Sequence, residues 1–181
     1  MKIEKPSSKP ERAFFSSGPC AKRPGWSIAN LPTFTLGRSH RSKIAKDKLK
    51  ELITLSKSLL KLPNDYKVGI VAGSDTGAIE MAMWSLLGAT GVDILGWENF
   101  GNDWVKDAVS QLKIKNLNVH KADYGKLPDL TKIDFNNDIV FTWNGTSSGV
   151  CLPDANWIKD DRKGLTICDA TSSVFAMPMD W

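Results

Sequence analysis

The feature that most constrains this chain is an alternation along its length. Short β-branched or apolar runs at 68–72, 92–95, 117–119, 139–143 and 165–168 are interleaved with segments of helical periodicity at 42–62, 77–87 and 102–112. Strands alternating with helices predict an α/β fold with a mostly parallel sheet and helices on both faces. Over 42–62 the apolar residues Ile44, Leu49, Leu52, Ile53, Leu59 and Leu60 recur at three- and four-residue steps with Lys and Asp between them, which predicts an amphipathic helix ended by Pro63 and Asn64.

Apolar residues make up 41% of the 181-residue chain and charged residues 24%, enough for a buried core and incompatible with wholesale disorder. The net charge of +4 is spread among interspersed acids and bases. The lysines over 43–61 fall on the polar face of the expected helix, so solvation accounts for them and no nucleic-acid partner is expected. No apolar run approaches the roughly 18 residues of a membrane span. The opening MKIEKPSSKPER is charged and Pro-rich, so the expectation is a cytoplasmic protein with no membrane contact and a flexible arm over 1–13. Frequent Gly and Pro over 14–37 predict an irregular segment. Cys20, Cys151 and Cys168 form no CxxC pair, and with only His40 and His120 beside them, reduced thiols and no metal site are expected.

In open α/β sheets ligands gather at the carboxyl ends of the strands. Three loops there carry suggestive residues. The loop at 73–78, GSDTGA, has small residues ahead of a helix, where free N–H groups and the helix dipole favour phosphate; alternatively, Ser74 or Asp75 caps the helix. It carries neither a Walker lysine nor a GxGxxG pattern. The loop at 144–149, NGTSSG, offers hydroxyl and amide groups, or is an ordinary Gly/Ser turn. Asp169 directly follows an apolar strand, placed either for a cationic partner such as a protonated ring nitrogen or to cap the next turn.

These loops, with the strings FFSSGPCAKRPGW, LGRSHRSK, VAGSDTGAIEMAMW, ENFGNDW, WNGTSSGV and DATSS in this order, resemble the pyridoxal-phosphate enzymes of the aspartate-aminotransferase fold, fold type I. Within that fold LGRSHRSK and WNGTSSGV resemble the phosphoserine aminotransferases. The resemblance implies that residues 14–181 are the amino-terminal part of an incomplete pyridoxal-phosphate-binding large domain. It also implies PLP-dependent transfer of an amino group from glutamate to 3-phosphohydroxypyruvate, giving phosphoserine and 2-oxoglutarate in serine biosynthesis. Asp75 and Thr76 would take the cofactor phosphate through N–H groups and the Thr hydroxyl. Phe100 would stack on the pyridine ring, with Trp97 and Trp104 as nearby rivals. Thr146 would hydrogen-bond the cofactor and Asp169 would keep the ring nitrogen protonated, sustaining the electron sink.

His40 and Arg41 match the family's grip on the substrate phosphate or carboxylate, for which the Arg fork is suited. A solvated turn is the other reading, and Arg38 is the closest competitor. The family's Schiff-base lysine follows the ring-nitrogen aspartate, but here Lys159 and Lys163 precede Asp169 and none follows it. A fragment inactive alone is therefore expected, without a catalytic residue of its own, ending at Trp181 ahead of the lysine and a second domain. Its unpaired sheet edge predicts poor solubility, and the intact enzyme would be a homodimer. The alternatives are another enzyme of this fold, such as an alanine-glyoxylate or serine-pyruvate aminotransferase or a cysteine desulfurase, or a non-catalytic phosphate-ligand-binding module.

Overall fold

The computed structural model describes residues 7, 8, 11, 22–34, 36–179 and 181. The arm expected over 1–13 and Cys20 lie almost wholly outside the described residues. The chain comprises two units, Met1–Lys48 and Leu49–Trp181. In the first, the described segment is irregular apart from a 3-10 turn at Ile28–Asn30, where the Ser27 hydroxyl accepts the Ala29 N–H at 3.3 Å. The Gly and Pro punctuation accounts for this.

Helix α1 (Lys43–Leu59) begins in this unit and carries the expected periodicity, with a Lys43–Asp47 ion pair one turn apart. Its apolar stripe is largely uncovered: Ala45 is its one buried residue, and Leu49, Leu52, Leu55 and Leu59 are all at least half exposed.

The second unit is built on a four-stranded parallel sheet in the order β2-β1-β3-β4, with β1 at Val92–Gly96, β2 at Leu117–Lys121, β3 at Asp138–Thr142 and β4 at Thr166–Asp169. The two central strands are buried along their whole length, as continuous apolar runs covered on both faces require. Helix α2 (Ser74–Leu86) and helix α3 (Asn99–Lys106) cover one face, where Met83, Trp104, Val105 and Ala108 pack on Val92, Ile94, Val140 and Ile167. A π-helical turn, Asp107–Gln111, continues α3, so the helix expected over 102–112 starts three residues earlier and changes type midway.

On the opposite face, where helices were also expected, the described cover is loop and a 3-10 turn at Leu130–Lys132. There Phe135, Leu152, Trp157 and Ile158 pack on Leu95, Ile139 and Phe141.

One expected strand does not form. Residues 68–72 are irregular, and Ile70 and Val71 are exposed. β-Branched residues favour extended backbone, but a strand exists only where a neighbour takes its N–H and C=O groups. Neither edge of the described sheet pairs with this run.

Candidate functional site

Parallel register brings the ends of β3 and β4 together, with Thr142 opposite Asp169. Strand alternation puts both side chains on the α2/α3 face, since Val140 and Ile167, two residues earlier, belong to that core. The N-termini of α2 and α3 border the same place. Asp75, Phe100, Thr142, Thr146 and Asp169 line one cleft with a cavity volume of about 230 Å³. An adjoining cleft of about 330 Å³ shares Asp75 and Phe100 and adds Thr76 and an edge of Trp104.

Helix α2 is entered through Gly73 at φ 93, a left-handed conformation that favours glycine, and it has no side-chain cap. Neither Ser74 nor Asp75 therefore fills the capping role weighed above. The first backbone bond of this turn runs from the Gly77 N–H to the Gly73 carbonyl at 2.8 Å, so the preceding N–H groups have no intrahelical acceptor.

At α3 the cap is Glu98, almost completely buried. Its Oε1 accepts the Gly101 N–H at 2.8 Å, and its Oε2 accepts the Ser147 hydroxyl at 2.8 Å and the Ser147 N–H at 3.3 Å. One carboxylate thus ties the turn carrying Phe100 to the loop carrying Thr146. Sequence reasoning missed it, because glutamate is not a favoured N-cap residue and carries no local signal.

Phe100, about half exposed, is the aromatic that lines the cleft. Its two rivals are buried. Trp97 packs in the opposite core and donates its indole N–H to the Val150 carbonyl at 3.2 Å. Trp104 donates its indole N–H to Asp169 Oδ2 at 3.0 Å.

The loop after β3 is closed by an antiparallel bridge between Asn144 and Cys151 and by a bond from the Gly145 N–H to the Val150 carbonyl at 2.7 Å. It presents the Thr146 hydroxyl in hydrogen-bond contact with that of Ser172. Asp169 Oδ1 accepts the Thr171 N–H at 3.1 Å and the Thr171 hydroxyl at 2.8 Å. It therefore does cap its turn, and its other oxygen remains turned to the Trp104 side of the cleft. Beside it, burial and the Asp169 charge push the Cys168 thiol up to about 12.

His40 and Arg41 lie exposed in a turn of the first unit ahead of α1, where the Arg41 N–H donates to the Ser39 hydroxyl at 3.1 Å. No group of His, Cys, Asp and Glu suited to a metal ion occurs among the described residues.

Two observations show that the cleft's donors and acceptors suit a group such as pyridoxal phosphate. The Thr142 hydroxyl is buried without a hydrogen-bond partner at the cleft wall, where a polar atom is normally satisfied. The helix terminus at Asp75 and Thr76 offers unpaired N–H groups suited to an anion.

No family model matches the chain. It is 56% identical over 177 residues to the phosphoserine aminotransferase of Methanosarcina mazei, covering 98% of this chain and 48% of that protein. It is 55% identical over the same length to that of Methanosarcina barkeri, again covering 98% of this chain and 48% of the relative. Among solved structures, a phosphoserine aminotransferase from Cytophaga hutchinsonii superposes with a TM-score of 0.69 at 25% identity, covering 80% of this chain and 41% of that one. In sequence and in fold, then, the chain is similar to phosphoserine aminotransferases, and it spans about half the length of the curated relatives it matches.

Proposed function

We propose that this chain is part of a pyridoxal 5′-phosphate-dependent phosphoserine aminotransferase of the cytoplasm, transferring the amino group of glutamate to 3-phosphohydroxypyruvate in serine biosynthesis. The observation that carries this reading is the gathering of Asp75, Phe100, Thr146 and Asp169 in one cleft, in a chain 56% identical to an enzyme of that name. When bound, pyridoxal phosphate supplies an aldehyde that captures the amino group and a ring that accepts electrons as the substrate α-proton leaves.

The residues of this chain do the rest of the work assigned here. The N–H groups of Asp75 and Thr76, with the Thr76 hydroxyl, bind the phosphate at the positive end of the α2 dipole. Phe100 would stack on the ring and exclude water, and Thr146 would hydrogen-bond the cofactor. The Asp169 carboxylate holds a proton at the ring nitrogen, since an adjacent negative charge favours the protonated base. Arg41, assisted by His40, grips the distal phosphate or carboxylate of the substrate, two oxyanions that one bidentate fork can serve in turn.

The test is a titration of the full-length protein with pyridoxal phosphate, followed by absorbance and tryptophan emission, together with a transamination assay. Binding of the cofactor and turnover of glutamate with 3-phosphohydroxypyruvate are expected. Arg41→Ala should lose most activity with phosphorylated and dicarboxylic substrates; an equal loss with alanine points to another aminotransferase of this fold. Unaltered absorbance in the full-length protein overturns the reading.

A further inference from the structure

We propose that Trp104 is a positioning residue for the Asp169 carboxylate, its indole N–H selecting the single lone pair left to face the cofactor ring nitrogen. The inference rests on the reading of Asp169 given above and goes beyond it to a residue that does not line the cleft of Phe100, Thr146 and Asp169.

A carboxylate oxygen accepts about two hydrogen bonds. Asp169 Oδ1 already accepts two, both from Thr171, at 3.1 and 2.8 Å. Oδ2 accepts one, from Trp104 Nε1 at 3.0 Å. The remaining strong acceptor site of this carboxylate is therefore on Oδ2, and the indole N–H sets the direction in which it points.

The donor is rigid. Trp104 is buried in α3, and that helix seats closely on β1: a Cβ on Gly96 would come within 2.8 Å of Asn102 Oδ1 and 3.0 Å of Val105 Cγ2. Phe100 stands four residues before Trp104, on the same side of the helix. One rigid helix thus fixes both the aromatic over the ring and the orientation of the carboxylate at its edge. The indole N–H donated to Oδ2 therefore fixes which lone pair of the carboxylate is left to face the cleft.

The experiment uses the full-length protein and pyridoxal phosphate itself, reading the dissociation constant from absorbance. Trp104→Phe removes the N–H but also some packing. A second variant therefore carries 3-benzothienylalanine at position 104, which keeps the bicyclic shape and puts sulfur in place of N–H. Both are made in the natural and the Asp169→Asn backgrounds.

The expected result is a cofactor affinity about tenfold weaker for the benzothienyl variant, the size of one hydrogen bond to a charged group. In the Asp169→Asn background the same replacement should change affinity less than twofold, because the group through which Trp104 acts has lost its charge. Equal losses in both backgrounds, or no loss in the first, overturn the inference and leave Trp104 as packing alone. A wild-type protein that takes up no pyridoxal phosphate overturns both the inference and the functional reading beneath it.

Discussion

Glu98, Thr142 and Cys168 show how individual side chains near the cleft take their character from neighbours distant in sequence. Removing Glu98 leaves the buried Gly101 N–H, and the N–H and hydroxyl of the exposed Ser147, without their acceptor. An unsatisfied buried group such as the Gly101 N–H costs about 1–3 kcal/mol. Glu98→Ala should therefore lower the unfolding free energy measured in urea by at least that amount, and it should weaken cofactor binding by releasing both Phe100 and Thr146.

Thr142 predicts the opposite sign for stability. Its hydroxyl is buried and unpaired in the free protein, so Thr142→Val should stabilise the cofactor-free form by about 1 kcal/mol. If the hydroxyl engages the cofactor, the same variant binds pyridoxal phosphate more weakly; calorimetric melts with and without cofactor separate the two effects. Cys168, with its thiol pushed up to about 12 by burial and the Asp169 charge, is almost entirely protonated at neutral pH. In the native protein Ellman's reagent at pH 8 should label Cys168 only after denaturant is added; rapid native labelling would contradict this.

At the scale of elements, the helix-period and strand-period signals located three helices and four strands within about three residues, but not what each would pack against. Helix α3 is seated by small residues, and Gly96→Val should push it off β1, because the added carbons meet Asn102 and Val105 below contact distance. Overpacking of this kind costs about 1–3 kcal/mol. The Phe100 and Trp104 positions would shift with the helix, so reduced stability should be accompanied by reduced cofactor affinity; unchanged thermal melting would contradict the tight seating. The run at 68–72 shows the limit of local propensity, since it has the composition of a strand and no partner among the described strands. The leucines of α1 likewise have an amphipathic pattern and little to cover them. In both cases periodicity reports which surface is apolar, and burial requires a second surface that the pattern does not name.

At the scale of the whole second unit, the end of the sheet opposite the cleft is organised by Asp93, a fully buried acid on β1. Burial alone would raise its pKa, but donors from Asn137, the Asp134 backbone, Asn118 and His120 outweigh that and hold it below the usual carboxylate range. A carboxyl whose proton affinity is lower folded than unfolded adds stability above its unfolded value, near 4 for Asp, and loses it as the pH falls through the folded value. The urea midpoint should accordingly fall below about pH 4. In Asp93→Asn that acid limb should be shallower, on a neutral-pH stability about 1–3 kcal/mol lower. An acid limb of unchanged slope would show that other carboxylates dominate.

The α/β class, the parallel sheet, the loops at 73–78 and 144–149 and the strand end at Asp169 were legible in the chain itself, because hydrophobic period and Gly-rich breaks are local properties written in consecutive residues, whereas Phe100 came only from the family resemblance. Tertiary structure alone decided that Phe100 and not Trp97 or Trp104 lines the cleft with Thr146 and Asp169, that Glu98 ties two loops together, and that Trp104 meets Asp169 across 65 residues of chain. Contacts between distant residues depend on strand register and helix seating. Those are set by the packing of whole faces against one another, which no single stretch of sequence encodes.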